Sequence, residues 1–303
     1  MSLKTAVKRA LHSSGVAGTL ARRDGASFIL AAHVVQEEEA EPLADVIRLV
    51  RKSFSLVSLD ELLVALRAGR CRNLVTLTFD DGLRNQVTVA YDVLSALRAP
   101  ATFYVCPALV GKPLSIWTWE LEPRLSRMSA HRQREIYARG YADSFEPFLQ
   151  TLKEMPLARR EAIWAEIVRA TPHFVFTPEE ARLFGLTGWA ELAGLDSSLI
   201  TIGSHTHTHV DLPQVDDTRL ESELAASKAM LRQELGRDAR HFAYPNGSHD
   251  PRTARAVARH FDSGVTMQAR AVGPGSDPSR LPRVHIQWDA HELVWTMARS
   301  GRD

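Results

Sequence analysis

A parallel α/β fold, built as a barrel or as an open sheet, is predicted by three features of this 303-residue chain. A strand–helix–strand rhythm runs from about Val75 to Val105, and it resumes from Leu199 onward. The third feature is placement. Two clusters of ionisable side chains, Asp80–Asp81 and His205–His209, each follow directly on a strand-like run. In parallel α/β scaffolds the chemistry-bearing residues gather at the carboxyl ends of the strands.

The elements follow in order. Phe28–Val35 (FILAAHVV) is an almost unbroken apolar run and reads as a short buried strand. Ser58–Leu66 reads as a helix, because Ser58 is a capping hydroxyl and Glu61, three residues on, completes a capping box. Leu74–Phe79 is β-rich and ends in Asp80–Asp81–Gly82; a helical stretch follows through Leu97, then the strand Ala101–Val105. Leu199–Ile202 is a strand leading into the histidine cluster. Leu220, Leu224, Leu231 and Leu235 recur at helical spacing, and Gly236 supplies a carboxyl-terminal stop. His241–Tyr244 is strand-like, Asp250 and Pro251 open a helix, and Gly264–Met267 and Arg283–Ile286 read as strands. A last helix begins after Asp289 with Glu292 at its third position.

Residues 111–197 break the rhythm. They hold Trp117, Trp119 and charged helical stretches around Arg132–Phe148 and Leu157–Val168, and they read as a mainly helical insertion into an α/β domain formed by 25–110 and 198–299. The insertion can act as a lid, as a homo-oligomer surface, or as cover for a sheet edge. Its arginines, Arg124, Arg127, Arg132 and Arg134, form either a solvated face or a patch for a phosphate-bearing carrier.

Composition excludes some classes of function. With 37 Lys and Arg against 36 Asp and Glu, the formal charge is +1, which argues against a nucleic-acid partner. No apolar run approaches the roughly 18 residues of a transmembrane segment. The basic opening MSLKTAVKRALHSSG lacks the apolar core of a secretion signal, so a cytoplasmic location is expected; Lys4, Lys8 and Arg9 form a solvated helix face or a peripheral membrane contact. Cys71 and Cys106, the only cysteines, lie in or beside apolar runs and are expected as buried thiols.

Adjacent carboxylates alternate faces if strand geometry continues, so Asp80 and Asp81 can do different work: one binds a metal, the other faces a water. The bland reading is an Asx turn at a strand end. His205 and His209, four apart, can bring two imidazole nitrogens to one ion of Zn²⁺, Co²⁺ or Ni²⁺; alternatively they belong to a solvent-exposed turn.

These motifs resemble those of the NodB-type polysaccharide deacetylases, carbohydrate esterase family 4. The family's TFDDG motif is matched at Thr78–Gly82, and its second motif, a histidine, a Ser or Thr, and a second histidine four residues on, at His205, Thr206 and His209. The resemblance implies that Asp80 is the general base and that Asp81, His205 and His209 hold one divalent metal, Zn²⁺ with Co²⁺ or Ni²⁺ as alternatives, while Thr206 supports the loop. Where the family usually carries Arg, Pro and Gly, this chain has Phe242–Gly247 (FAYPNG), a version similar to the branch acting on poly-N-acetylglucosamine-like glycans and small amides. Pro245 and Gly247 fix a tight loop there, and a backbone N–H near Tyr244 or Asn246 can face a developing oxyanion. Tyr244, Pro245, Asn246 and Thr206 are therefore the candidate substrate-side residues, with Tyr244 alternatively a core aromatic. Leu281–His285 best matches the final motif, which makes His285 the candidate general acid or else a structural histidine. Arg283 either orients Asp80 through a charge-assisted bond or forms a rim salt bridge. His33 is groove-facing or structural.

The fold implied by this resemblance is a distorted (β/α)7 barrel. The likeness covers Phe28–Val110 and Leu199–Trp295, and the insertion carries no family motif. The implied activity is metal-dependent hydrolysis of a non-peptide amide bond in an acetamido sugar or glycan precursor. A small cyclic amide or imide is the alternative substrate, and a non-catalytic glycan-binding or scaffold protein the alternative class.

Overall fold

Eight strands form one parallel sheet: β1 (Phe28–Ala32), β2 (Ser55–Leu56), β3 (Leu74–Phe79), β4 (Ala101–Val105), β5 (Ile200–Ser204), β6 (His241–Ala243), β7 (Ser263–Val265) and β8 (Val284–His285). This computed structural model describes residues 25–114 and 116–300; the basic amino-terminal stretch with Lys4, Lys8 and Arg9 lies outside the described residues. Seven strands pair in the order β7-β6-β5-β4-β3-β1-β8, with β2 set beside β3. The two ends of that path meet. The Leu281 N–H donates to the Gly264 carbonyl (2.7 Å), the Thr266 N–H to the Leu281 carbonyl (2.8 Å), and the Arg283 N–H to the Gln268 carbonyl (3.1 Å). The sheet thus curls into a distorted barrel of seven staves, closed at this seam by irregular hydrogen bonds rather than by a regular ladder.

Strand alternation sorts the apolar residues into two cores. Leu30, Leu77, Phe103, Phe242 and Tyr244 face outward and pack with Leu43 and Ile47 of α1 (Ala40–Ser53). Ile29, Tyr104, Ala243, Val265 and Leu281 face inward and meet Leu59, Leu62 and Leu63 of α2 (Leu59–Arg67). Each such buried side chain is worth roughly 1.5–3 kcal/mol relative to exposure. Asp60 of α2 reaches His241 at the start of β6 (3.3 Å), so α2 stoppers the amino-terminal mouth of the barrel. The carboxyl-terminal mouth is left for the site.

The helices begin and end where capping chemistry places them. Ser58 accepts from the Glu61 N–H (3.2 Å) while Glu61 accepts from the Ser58 N–H (2.7 Å). The helical stretch after Gly82 opens with a π turn (Gln86–Ala90) before α3 (Tyr91–Ala96). Near the seam, the strands foreseen at Gly264–Met267 and Arg283–Ile286 contract to Ser263–Val265 and Val284–His285, because the flanking amides are spent on seam hydrogen bonds. Likewise the first strand ends at Ala32, leaving His33 in the loop beyond it.

Between β4 and β5 lie six helices: α4 (Trp117–Ser126), α5 (Ala130–Arg139), α6 (Phe145–Glu154), α7 (Leu157–Ala170), α8 (Pro178–Phe184) and α9 (Trp189–Ala193). The first four, α4 to α7, enclose an apolar cluster of their own around Leu121, Ile136, Phe148, Leu152 and Ile167. Of the four arginines singled out in this region, Arg124, Arg127 and Arg132 are internal ties, and Arg134 is exposed. Arg124 is buried, pairs with Glu120 (2.8 Å) and lies 4.3 Å from the Phe174 ring centroid; Arg127 pairs with Glu180, and Arg132 with Glu135 and Glu166. Cys71 and Cys106 are buried and free. No helix of the described residues is long and apolar enough to cross a membrane.

Candidate active site

Alternation along β3 turns Thr76, Thr78 and Asp80 toward the barrel interior, and the Asp80 N–H is fixed on the Ala32 carbonyl (3.0 Å). Asp81 should then point away, but its backbone is left-handed (φ 78°), as is that of Gly82 (φ 67°), and the chain swings its side chain back over the mouth. Only glycine fits the second position, since a Cβ there would stand 2.9 Å from Val105 Cγ1. Thr206, His209 and Asn246 are also left-handed non-glycine residues. Such conformations cost of order 1–3 kcal/mol each and persist where the surrounding structure enforces them.

Asp81, His205 and His209 converge. Asp81 Oδ1 lies 3.3 Å from His205 Nε2 and 3.3 Å from His209 Nε2, and all three residues are buried. That Oδ1 has no hydrogen-bond partner, and a buried anionic oxygen without one is what a cation would satisfy. His205 Nδ1 pairs with the Ala243 carbonyl (2.7 Å), which places the proton on Nδ1 and leaves the Nε2 lone pair for a ligand. Carboxylate and imidazole donors of this kind suit a divalent metal such as zinc. The histidine loop is held from below by Glu223 of α10 (Asp217–Leu235), which accepts from the His207 N–H (3.0 Å), the Thr208 N–H (2.9 Å) and the Thr208 hydroxyl (2.6 Å). Thr206 is buried and its hydroxyl accepts from the Val210 N–H (3.2 Å), a loop-supporting position.

Asp80 sits beside this triad and is gripped by Arg283 in a bidentate pair (2.7 and 2.6 Å). The guanidinium is fully buried inside the barrel, where it also donates to Thr78 Oγ1 (3.1 Å) and the Thr266 carbonyl (3.0 Å). Burial alone would raise the Asp80 pKa, but the Arg283 charge and its hydrogen bonds more than offset it, and the carboxyl is held below its ordinary value.

His285 lines the same cleft. Its Nδ1 pairs with the Ile286 carbonyl (2.9 Å), and its ring stacks on His33 at 5.7 Å with 13° between planes. His33 Nε2 is 3.8 Å from Asp80 Oδ2, so this histidine faces the groove; burial lowers its pKa, with the nearby carboxylates opposing. The cleft encloses about 530 Å³, within the range of small-ligand pockets. Its barrel wall carries Asp80, Asp81, His205, His209 and Asn246, and the opposite wall comes from the insertion: Thr118 and Trp119 of α4, and Gln150, Lys153 and Glu154 of α6. The insertion therefore covers the site.

Three of the four candidate substrate-side residues, Thr206, Tyr244 and Pro245, are buried and do not border the cleft, and for Tyr244 the core alternative holds. Tyr244 does not line the groove. It is fully buried, and its hydroxyl donates to the Ser279 carbonyl (2.7 Å), because alternation along β6 turns Ala243 inward and Phe242 and Tyr244 outward. Pro245 is also buried. Asn246 alone of the four borders the cleft, and its Nδ2 donates to Asp211 (2.9 Å), which in turn accepts from the insertion's Arg160 (2.6 Å). Sequence reading missed one contact altogether: the Trp119 indole N–H donates to Asp81 Oδ2 (2.8 Å).

The sequence profile named polysaccharide deacetylase matches residues 68–262, which include Asp80, Asp81, His205 and His209. The chain belongs to the polysaccharide deacetylase family. Membership places it among deacetylase enzymes. Among solved structures it is similar to IcaB from Ammonifex degensii, at 22% identity and a TM-score of 0.57 over 91% of this chain and 97% of that one. It is also similar to the deacetylase PplD of Streptococcus pyogenes, solved with acetate (20% identity, TM-score 0.55, 90% and 98% covered). The BpsB deacetylase domain of Bordetella bronchiseptica gives 18% identity and a TM-score of 0.54 over 86% and 96%. At these identities the structural likenesses speak to the fold. No curated protein sequence matches the chain.

Proposed function

We propose that this deacetylase is a zinc-dependent N-deacetylase of an acetamido sugar within a glycan or glycan precursor. The observation that carries the reading is the placement of a second, ionised carboxylate, Asp80, against the Asp81–His205–His209 set in a cleft that His285 also enters. A binding module has no use for a charged base beside a metal. The solved deacetylases with this fold support a glycan substrate, and the acetate in one of them is the product such a reaction releases.

Bound zinc would be held by Asp81 Oδ1, His205 Nε2 and His209 Nε2, where it supplies the Lewis acidity that lowers the pKa of water and polarises an acyl oxygen. The chain's own residues do the rest. Asp80, kept ionised by Arg283, takes a proton from the attacking water as its oxygen bonds to the acyl carbon. An amide nitrogen leaves only when protonated, and His285, as imidazolium, gives it that proton as the C–N bond breaks. The products are acetate and the free amino sugar. Asn246, clamped through Asp211 to Arg160, borders the same cleft.

The test is acetate and amine release from N-acetylglucosamine oligomers, nucleotide-linked N-acetyl sugars and cyclic imides by zinc-loaded protein. Asp80→Asn should lower turnover by about 10²–10⁴-fold, the usual contribution of a positioned acid or base. Turnover of the imides alone would overturn the sugar reading, and turnover unchanged in Asp80→Asn would overturn the mechanism.

A further inference from the structure

We propose that Trp119 governs how Asp81 engages the metal, so that the helical insertion supplies a positioning residue of the metal centre. The inference rests on reading Asp81, His205 and His209 as ligands and is independent of the substrate. The two oxygens of Asp81 have unequal surroundings: Oδ1 faces both histidine Nε2 atoms with no hydrogen bond of its own, and Oδ2 accepts the Trp119 indole N–H at 2.8 Å. A carboxylate with both oxygens free can chelate with both, and the second bond uses a position that water or a substrate carbonyl needs. Committing Oδ2 to an N–H donor withdraws it and leaves Oδ1 as the one oxygen presented.

The indole is not free to swing away. Its ring stacks on Phe184 of α8, with centroids 5.6 Å apart and 15° between planes, and it borders His33 at 6.2 Å. Helix α8 is in turn pinned to the barrel by Asn85, whose Nδ2 donates to the Leu183 carbonyl (2.8 Å) and the Arg182 carbonyl (3.2 Å) while its Oδ1 accepts from the Val35 N–H (3.1 Å). The Arg84 N–H adds a bond to the Gly185 carbonyl (2.8 Å). Arg84 and Asn85 open the helical stretch directly after the turn that carries Asp81. The path from Asp81 through Trp119, Phe184 and Asn85 thus returns to the chain directly after its starting turn, which fixes the donor relative to the carboxylate.

The test replaces the donor and leaves the ring. Trp119→Phe, and a full-length protein carrying the isosteric benzothiophene in place of the Trp119 indole, are titrated with Zn²⁺ against a chromophoric chelator and with Co²⁺ by visible absorption. The benzothiophene form keeps the shape and the Phe184 stack, so it answers the question even where Trp119→Phe folds poorly. The expected result is metal affinity lower by about 10–100-fold, the usual effect of losing an outer partner of a ligand. The Co²⁺ bands should also lose intensity as the carboxylate takes up a second position and the coordination number rises. A benzothiophene form whose Co²⁺ spectrum matches the parent protein overturns the proposal, whatever its affinity, because the carboxylate then needs no N–H to hold its mode. Failure of the parent protein to bind Zn²⁺ or Co²⁺ overturns the ligand reading itself, and this inference with it.

Discussion

Arg283 is a cation with no access to solvent, and Asp80 is the carboxylate that matches it. Replacing one partner of a buried pair strands the other, at a cost of about 3–5 kcal/mol. Arg283→Met should therefore lower the unfolding free energy by that order in denaturant melts. It should also change the pH profile in a definite direction. In the parent protein the Asp80 pKa is depressed, so its contribution to stability is present above the unfolded value of about 3.9 and is lost as pH falls through the lower folded value. Without Arg283 only burial and weaker neighbours remain, the carboxyl pKa rises, and the acid limb of kcat/KM moves toward neutrality. An acid limb left in place would show that Arg283 does not keep the base ionised. At this scale the sequence was legible where a motif is contiguous: Asp81, His205 and His209 meet because short loops with left-handed residues force them to. Tyr244 was left open between groove and core although the signal to choose was available, since period-two alternation already sends it to the face opposite Ala243. Trp119 offered no signal, because its partner lies across a path that only the tertiary structure defines.

At the scale of elements, α2 and α10 play opposite parts. Ser58→Ala removes the cap of α2 and should cost about 0.5–2 kcal/mol while leaving kcat and KM unchanged, because α2 closes the mouth of the barrel away from the site. Glu223→Ala on α10 should act on both. It strands the His207 and Thr208 amides, costing about 1–3 kcal/mol, and loosens the loop between His205 and His209, so zinc affinity is expected to fall together with the melting temperature. Unchanged zinc affinity in Glu223→Ala would mean that the loop holds its shape unaided. A carboxylate at position 223, one residue before Leu224 on the apolar stripe of a predicted helix, was a readable anomaly. Caps are local chemistry, which is why the helix starts at Ser58, Asp250 and Asp289 were legible. The bounds of the short strands beside the seam, three residues in β7 and two in β8, were not, because their partners are distant in the chain and irregular in register.

For the molecule as a whole, a metal that binds the folded state alone stabilises it by mass action. Zinc at a hundredfold excess over its Kd should add about 2.7 kcal/mol to the unfolding free energy, and this increment should vanish in Asp81→Asn; a shift that persists there would place the bound zinc elsewhere. The overall architecture could be read because strand and helix periodicities alternate from Val75 to Val105 and again from Leu199. The contact between insertion and site could not, since nothing local in 111–197 records what its helices face. That arrangement also sets an order of assembly. Strands β4 and β5 lie side by side, Phe103 against Ile202, with six helices between them in the chain. Joining them across so long a gap is entropically costly unless the intervening helices have already condensed on their own apolar cluster and drawn the ends together. The candidate catalytic set is spread along the chain in the same sense: the carboxylates are synthesised first, the histidines after the insertion, and Arg283 close to the end. A nascent chain thus carries Asp80 long before the cation that will offset its burial, and the set stays incomplete until the barrel's last seam has closed.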